Sequence, residues 1–127
     1  MGQRIAVVTG GMGGLGESIC TKLHSEGHKV VVTYSPNNTK AGAWNEEMKR
    51  QGYAFHCYPL DVTDFDACAA MIAKVEKDVG PIDILVNNAG ITRDMTFKKM
   101  GKADWDAVIN ANLNSVFNMC KPVLDDM

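Results

Sequence analysis

A glycine-dense segment near the amino terminus lies between a short apolar run and the start of a helical pattern. The apolar run is IAVV at residues 5–8, and residues 9–16 read TGGMGGLG. Because glycine accepts positive φ angles and lets the backbone approach another group closely, this segment predicts a tight turn from strand into helix. The N–H groups at a helix amino terminus attract anions, so the same turn predicts a site for a pyrophosphate.

Two glycine patterns fit this segment. Gly11, Gly13 and Gly16 satisfy G-x-G-x-x-G, which is a weak signal when it stands alone. A second pattern, T-G-x-x-x-G-x-G, begins at Thr9. The spacing of the surrounding elements therefore has to decide which pattern applies.

Apolar strand patterns alternate with helical patterns along the chain. We predict strands at residues 4–9, 29–34, 54–59 and 82–87, and helices at 14–26, 39–51, 64–79 and from about 103 to the end. Such alternation requires parallel strands joined by right-handed crossovers. The fold class is therefore α/β, a doubly wound, Rossmann-like parallel sheet in the order 3-2-1-4. Its ligand crevice should lie at the carboxyl ends of strands 1 and 4.

Two local features refine this scheme. Thr63 followed by Asp66 predicts a capping box with the shorter acid at the start of the third helix. The sequence Asp83-Ile84-Leu85-Val86 predicts a strand that is buried on both faces. No fifth strand follows before Met127, so this strand would lie at an unpaired edge. We therefore expect residues 1–127 to be the amino-terminal, nucleotide-binding part of a single domain, truncated before strand 5.

Composition argues against several function classes. The net charge is −2, from 13 basic and 15 acidic residues without a basic stripe, so nucleic acid is not an expected partner. The apolar runs are far too short to span a membrane. The four cysteines form no C-x-x-C pair, which favours reduced thiols and a cytoplasmic location. The three histidines have no metal-ligand spacing, so we predict no metal site.

The sequence NNAG at residues 87–90 follows strand 4, at the same end of the sheet as the glycine turn. Together the two motifs resemble those of the short-chain dehydrogenase/reductase family, with Gly10, Gly14 and Gly16 as the glycine register. The resemblance implies a nicotinamide dinucleotide cofactor. It also implies that Asn87 ties the central strands together.

By the same resemblance, a set of positions at this edge of the sheet contacts the cofactor. They are Gly10, Met12, Gly13, Gly14, Leu15, Gly16, Ser35, Lys40, Leu60, Asp61, Val62, Asn88, Ala89, Gly90 and Thr92. Asp61 matches the family's contact with the adenine amino group. An acid in a turn before a helix is an equally good interpretation of Asp61, and the two roles are compatible.

The choice of cofactor is expected to be made after strand 2. A carboxylate there would accept hydrogen bonds from the ribose 2′-hydroxyl and repel a 2′-phosphate. Residues 32–35 contain none, and the next acidic residue is Glu46. Ser35 and the side chains at 37–39 offer hydrogen-bond donors. Lys40 offers a positive charge, although it also fits a solvated lysine at a helix start. The pattern favours NADP(H).

Asn112 lies on the helical stripe Trp105–Ile109–Asn112–Val116, which we expect to face inward. A buried amide is costly unless it is fully hydrogen-bonded. The resemblance implies a supporting catalytic role for Asn112, which would help to hold the family's catalytic lysine through a water molecule. The alternative is an amide that only kinks or caps the helix.

The family's catalytic serine and its Tyr-x-x-x-Lys pair belong after strand 5, and no tyrosine of this chain has a lysine four positions later. The tyrosines and the residues at that spacing are Tyr34 and Asn38, Tyr53 and Cys57, and Tyr58 and Val62. By this resemblance the chain alone should be inactive.

The loop GITRD at residues 90–94, with residues 97–100 and 103–109, is similar to that of family members that reduce 3-oxoacyl thioesters. This implies NADPH-dependent reduction of acetoacetyl-CoA, an acyl-CoA thioester, by a complete protein that is a homotetramer. Asp94 would contact the substrate, or would simply pair with Arg93. Two alternatives remain open: a substrate carried on acyl carrier protein, and a non-catalytic NADP-binding module.

Overall fold

Four parallel strands form one sheet in the computed structural model, which describes residues 3–127. The strands are β1 (Ile5–Val8), β2 (Lys29–Tyr34), β3 (His56–Pro59) and β4 (Ile84–Val86). They are hydrogen-bonded in the order β3-β2-β1-β4, and every pair is parallel. The predicted α/β class and strand order are confirmed.

Helices connect the strands and continue beyond the last one. They are α1 (Gly14–Ser25), α2 (Ala41–Arg50), α3 (Phe65–Asp78), α4 (Lys102–Ile109) and α5 (Ser115–Val123). A π-helical segment, Asn110–Asn114, joins α4 to α5, and a short 3₁₀ turn, Leu124–Asp126, follows α5. Within residues 3–127, no helix is both long enough and apolar enough to cross a membrane.

Successive side chains of the central strands enter two separate apolar cores, because side chains alternate between the faces of a sheet. Val7 and Val31 contribute to a core that α3, α5 and neighbouring loops cover. Val8 and Val32 contribute to the other core, under α1 and α2. The two layers hold the carboxyl ends of the strands at one edge, where the connecting loops meet.

The start of α3 differs from the predicted capping box. Asp64 is the N-cap, and its carboxylate accepts a hydrogen bond from the Ala67 N–H at 3.0 Å. Thr63 instead donates its hydroxyl to the Asp61 carboxylate at 2.6 Å, which also accepts the Thr63 N–H at 3.0 Å. The prediction for Thr63 was wrong because Asp61, two residues earlier, engages both of its donors.

The stripe that contains Asn112 does not face the core. Trp105 is 52% exposed and Val116 is 39% exposed, and Asn112 is also exposed. The buried positions of this region are Ala111, Ser115, Asn118, Met119 and Val123. The α-helical spacing fails here because the π-helical turn contains more residues per turn than an α-helix, which rotates the residues after it.

β4 is less buried than its sequence predicts. All three of its residues are half-buried, and β1 is its partner in the described sheet. Asp83, just before β4, is exposed, and its carboxylate accepts the Ile5 N–H at 2.9 Å. The prediction of burial on both faces was wrong for residues 83–86 because this strand forms the outer edge of the described sheet.

Candidate functional site

An open cleft of about 1220 Å³ lies at the carboxyl ends of β1 and β4. This is the edge that the strand order predicts for a ligand. The glycine turn, the loops after β2, β3 and β4, and the α4–π-helix region form its wall. The volume is somewhat above the range of about 300–1,000 Å³ that is usual for small-molecule sites, so it suits an extended ligand.

Three glycines of the turn are required by close contacts. Gly10 has a φ of +63°, and a Cβ there would lie 2.9 Å from the Cα of Ala89. At Gly11 a Cβ would lie 2.6 Å from a methyl carbon of Val32. At Gly16 it would collide with the Gly10 carbonyl oxygen. These contacts bring β1, β2 and the segment after β4 together around the turn.

Gly14 differs from these three glycines because a Cβ there would meet nothing within 4 Å. It is the first residue of α1, and the first helical hydrogen bond nearby runs from the Glu17 N–H to the Gly13 carbonyl at 2.7 Å. The N–H groups of Gly14, Leu15 and Gly16 precede that bond, so they remain for a ligand in the cleft. The open side of this turn therefore offers space and backbone N–H groups to an anion.

Thr9 joins the ends of β1 and β4. Its hydroxyl oxygen accepts the N–H of Asn88 at 3.1 Å and the N–H of Ala89 at 3.0 Å. The Asn88 amide in turn donates to the Gly10 carbonyl at 3.0 Å. Thr9 is only 2% exposed, so these bonds form away from water. Thr9 was not predicted as a site residue, although its position directly before the glycines could have indicated one.

The cross-strand role that was expected of Asn87 belongs to Asn88. Asn88 forms the cross-strand link and also lines the cleft. Asn87 is exposed, and its amide approaches the sulfur of Cys120 at 3.5 Å. The prediction that Asn87 ties β1 to β4 was therefore wrong, because alternation along the chain points Asn88, and not Asn87, toward Gly10.

Most of the predicted cofactor positions lie in the wall of the cleft. Those that do are Gly10, Gly13, Gly14, Leu15, Gly16, Ser35, Leu60, Asp61, Val62, Asn88, Ala89, Gly90 and Thr92. Met12 and Lys40 lie outside it. Lys40 is the exposed N-cap of α2, and the sulfur of Met12 accepts a hydrogen bond from Asn38 at 3.7 Å.

The wall also contains residues that the sequence analysis missed. They are Thr33, Tyr34, Thr63, Ile91, Arg93, Ala107, Asn110 and Ala111, whereas Asn37, also in the wall, was among the donors expected after β2. Thr33 has a clear structural role: its carbonyl accepts the Gly11 N–H at 3.1 Å and its hydroxyl accepts the Gly10 N–H at 3.4 Å. A buried threonine at the end of a Val-rich strand was the available signal.

Asp61 performs the turn role that was one of its two interpretations, through its bonds to Thr63. It also lies in the wall of the cleft. On the same side, Asn118 of α5 donates its amide to the Val62 carbonyl at 3.0 Å. This bond fixes the loop after β3 against the last helix.

Asn112 lies in the wall and is hydrogen-bonded at both ends of its amide. Its oxygen accepts the Ile91 N–H at 2.8 Å, and its nitrogen donates to the Ile91 carbonyl at 2.9 Å. A Cβ at Gly90 would lie 2.9 Å from the same oxygen. Asn112 thus holds the loop after β4 in place over the cleft.

Asp94 is exposed and lies outside the wall, whereas its neighbour Arg93 lines the cleft. The carboxylate nearest to the Arg93 guanidinium is Asp104, at 3.9 Å. The interpretation in which Asp94 pairs with Arg93 was therefore wrong. The start of α4 explains this, since Asp104 also accepts the Gly101 N–H there at 3.1 Å.

The four cysteines are free thiols. Burial, with smaller effects of Cys57 and Glu17, raises the pKa of the Cys20 thiol to about 12. Burial likewise raises the pKa of Cys57 and of Cys68 to about 11. Cys20 lies directly beneath the glycine turn, with its sulfur 3.8 Å from the Gly11 carbonyl oxygen. Among residues 3–127, no three His, Cys, Asp or Glu side chains converge as metal ligands.

The sequence model of the short chain dehydrogenases matches residues 4–127. The chain belongs to the short-chain dehydrogenase family. Oxidoreductases of this family use nicotinamide cofactors, whose pyrophosphate is bound at the glycine turn. The cleft of this chain likewise lies at the glycine turn.

Curated relatives cover this chain completely. It is 52% identical over 127 residues to Nodulation protein G of Azospirillum brasilense, and 49% identical over 127 residues to the Acetoacetyl-CoA reductase of Cupriavidus necator. In both comparisons, all of this chain aligns with 52% of the relative. The chain therefore spans about half the length of the curated relatives it matches.

A solved structure supports the same assignment. The chain superimposes on a variant of a Serratia marcescens short-chain dehydrogenase/reductase with a TM-score of 0.86 and 29% sequence identity. The match covers 98% of this chain and 51% of the solved chain. The similarity therefore extends over the whole described sheet.

Proposed function

We propose that this chain is the nucleotide-binding half of an NADPH-dependent reductase that converts acetoacetyl-CoA to (R)-3-hydroxybutyryl-CoA, the reducing step of polyhydroxybutyrate synthesis. The single observation that carries the proposal is the construction of the cleft. A glycine turn with an open anion site adjoins a loop after β2 that has no carboxylate.

The glycine turn supports binding of a dinucleotide. Gly14 leaves room for a phosphate at the start of α1, and the N–H groups that precede the first helical bond are positioned to donate to it. The Thr9 and Asn88 bonds fix this surface before any ligand arrives. A site that is already ordered loses less conformational entropy on binding.

The loop after β2 supports the choice of NADP(H). Tyr34, Ser35 and Asn37 line this end of the cleft, and none of them carries a negative charge. Ser35 and Asn37 offer a hydroxyl and an amide to a 2′-phosphate, and neither repels it. Lys40, at the exposed N-cap of α2, adds a positive charge near this loop.

The loop after β4 supports a 3-oxoacyl thioester as the substrate. Residues 90–94 resemble the corresponding loop of the thioester reductases, and Thr92 and Arg93 lie in the wall of the cleft. The 49% identity with the Cupriavidus necator reductase adds to this support. Asp94, exposed beside Arg93, is proposed to contact the substrate.

In the complete enzyme, bound NADPH supplies a hydride to the substrate carbonyl carbon. The family's catalytic serine and its Tyr-x-x-x-Lys pair, which belong after strand 5, would bind and protonate the carbonyl oxygen. Asn112 would position that lysine, since its own amide is fixed by Ile91. The chain by itself is therefore proposed to bind cofactor and to be catalytically inactive.

The assembly and location of the complete enzyme are also proposals. The α4–α5 region exposes large apolar side chains, including Phe97 at 82% and Phe117 at 61%, which would support a homotetramer. The free thiols are consistent with a reducing, cytoplasmic environment.

The first test is a calorimetric titration of the chain with NADPH and with NADH. We expect at least about tenfold tighter binding of NADPH, because one lost charge-assisted phosphate contact corresponds to about 1.4 kcal/mol or more. A preference for NADH would contradict the cofactor assignment. Adenosine and 2′-phosphoadenosine serve as the control pair, because they differ only in the 2′-phosphate.

The second test addresses the substrate. The reading frame beyond the codon for Met127 should encode a serine and a Tyr-x-x-x-Lys pair, and the protein encoded by the extended frame should reduce acetoacetyl-CoA. A stop codon at that point would contradict the proposal and favour a non-catalytic NADP-binding module. Higher kcat/KM with the acyl-carrier-protein thioester would instead favour a reductase of fatty acid synthesis.

A further inference from the structure

Two side-chain contacts connect the β2–α2 region to the other side of the cleft. One reaches α1 and the other reaches the glycine turn. The indole N–H of Trp44, in α2, donates to the Glu17 carboxylate, in the first turns of α1, at 2.8 Å. The amide of Asn38 reaches the sulfur of Met12 in the glycine turn at 3.7 Å. The first contact is short and involves a charged acceptor, so it is the stronger of the two.

Trp44 is firmly held at its other side. Its ring stacks on Phe55 with a centroid distance of 5.6 Å, and Phe55 is buried and packs in turn against Tyr53. A tryptophan in this setting has little rotational freedom. Because Trp44 is fixed by this packing, its hydrogen bond defines where the first turns of α1 lie relative to α2.

Trp44 is also connected to the loop that would meet a 2′-phosphate. Its backbone N–H donates to the Lys40 carbonyl at 3.0 Å, and the Lys40 N–H donates to the Asn38 side-chain oxygen at 2.9 Å. If Trp44 moved, the start of α2 and the backbone of residues 37–40 would therefore move with it. On the other side, Glu17 donates its N–H to the Gly13 carbonyl within the glycine turn.

We infer that the Trp44–Glu17 hydrogen bond is a positioning link that sets the distance between the pyrophosphate and 2′-phosphate ends of the cleft, and so helps to select a phosphorylated adenosine. Neither side chain lines the cleft, so both act through the loops that they hold. The bond also holds the Glu17 carboxylate toward α2 and so away from the proposed anion site. A negative charge closer to that site would repel a bound phosphate. This inference rests on the proposed NADP(H) function.

The test compares affinities of the chain for NADPH and NADH, measured by calorimetry in wild type and variants. Trp44→Phe removes the donor and keeps an aromatic ring against Phe55. We expect NADPH affinity to fall about fivefold and NADH affinity to fall less than about twofold, because the displaced loop would contact the 2′-phosphate less well and NADH lacks that group. The measured quantity is the ratio of the two affinities, which a general loss of folded protein would not change.

Glu17→Met and Glu17→Gln form a matched pair on the other partner. The methionine variant lacks the acceptor and should lower the NADPH:NADH ratio as Trp44→Phe does. The glutamine variant retains an acceptor oxygen and should stay within about twofold of wild type. Thermal unfolding of each variant checks that it is folded, and the methionine variant keeps the test available if Trp44→Phe does not fold.

The possible failures can be told apart. Wild-type preference for NADH would overturn the proposed cofactor and this inference with it. Wild-type preference for NADPH with an unchanged ratio in Trp44→Phe and Glu17→Met would overturn the inference alone. A ratio in Glu17→Gln as low as in Glu17→Met would assign the effect to charge and contradict a role for the hydrogen bond.

Discussion

At the β1–β4 end of the cleft the backbone is fixed by close contacts and buried hydrogen bonds, whereas at the β2 end it is exposed and held by a few polar side chains. Gly10 and Gly16 have no room for a Cβ, and buried Thr9 accepts two backbone N–H groups. In contrast, residues 35–37 are exposed, and the Asn37 N–H bonds to the Ser35 hydroxyl at 3.3 Å.

This difference separates two tasks of binding. The rigid end is the proposed site of the pyrophosphate, which every nicotinamide dinucleotide has, so its shape need not vary. The exposed end is proposed to meet the position at which NAD and NADP differ, and its side chains can be exchanged with little effect on folding. Substitutions at the two ends should therefore separate loss of stability from change of specificity.

The largest effect is expected for Gly16→Ala. The new methyl group would collide with the Gly10 carbonyl and would lie 2.8 Å from the Asn88 amide nitrogen. We expect the free energy of unfolding to fall by about 3 kcal/mol or more and NADPH binding to be lost, because the neighbouring atoms are backbone and a fixed amide. Urea denaturation and calorimetry measure the two quantities.

Gly14→Ala is the matched control in the same turn, since a Cβ there meets no protein atom within 4 Å. Its stability should stay within about 1 kcal/mol of wild type, because alanine favours the helix over glycine. NADPH affinity should still fall, because the methyl group occupies the space proposed for the pyrophosphate. Equal stability losses in the two variants would contradict the description of a rigid turn with one open side.

Thr9→Val should have the next largest effect, also at the rigid end. The substitution removes the oxygen that accepts the N–H groups of Asn88 and Ala89. The Ala89 N–H loses this acceptor, whereas the Asn88 N–H keeps the Val86 carbonyl at 3.1 Å. We expect a loss of about 2 kcal/mol in the free energy of unfolding. Thr9→Ser, which keeps the hydroxyl, should lose about 1 kcal/mol or less. Similar unfolding midpoints for the two variants would show that the methyl group matters and the bonds do not.

Ser35→Asp tests the exposed end. A carboxylate there would repel a 2′-phosphate and accept hydrogen bonds from a free 2′-hydroxyl, so the NADPH:NADH affinity ratio should fall by about tenfold or more. Because Ser35 is exposed, stability should change by no more than about 0.5 kcal/mol. Ser35→Ala is the control without charge and should lower the ratio much less. A large stability loss in Ser35→Asp would show that substitutions at the two ends affect folding alike, and would contradict the comparison.

The last effect vanishes at neutral pH and is a pH dependence beneath the rigid end. The pKa of Cys20 rises from its ordinary value of 9.0 to about 12 in the folded chain, so the folded state retains the thiol proton that the unfolded state loses. The resulting stabilisation is complete below pH 9 and is lost as the pH rises toward 12. Unfolding midpoints measured from pH 8 to 11 should therefore decrease. Cys20→Ala should show a shallower decrease, and an identical slope would exclude Cys20 as a source.

The apolar periodicity, with glycine at the helix ends, was sufficient to predict the sheet order and to place each strand within two residues at either end. This succeeded because burial of one face imposes a period of 3.6 residues on a helix and of two residues on a strand. The glycine turn was located for the same reason. Which asparagine of NNAG would face β1 was not predictable, since it depends on the direction of a single side chain after the last paired residue, Val86.

The last helix could not be predicted correctly from periodicity. A π-helical turn is stabilised by local contacts such as the Ser115 hydroxyl donating to the Ala111 carbonyl at 2.6 Å, and such contacts leave no repeat in the sequence. Likewise, one of the two interpretations of Asp94 paired it with Arg93, but the Arg93 guanidinium approaches Asp104 at 3.9 Å. Asp104 lies in α4, and only the folded loop between them brings it near Arg93.

The π-helical segment Asn110–Asn114 also determines where this part of the gene can lose a residue. Because a π-helical turn holds about one residue more than an α-helical turn, removing one residue from it would restore α-helical winding and leave α5 in nearly its present orientation. Met119 and Val123 would then stay in the core beneath α3. Removing one residue from within α5 would instead turn everything that follows by about 100° around the helix axis. A single-residue deletion in the π-helical segment should therefore be much less damaging than one in α5.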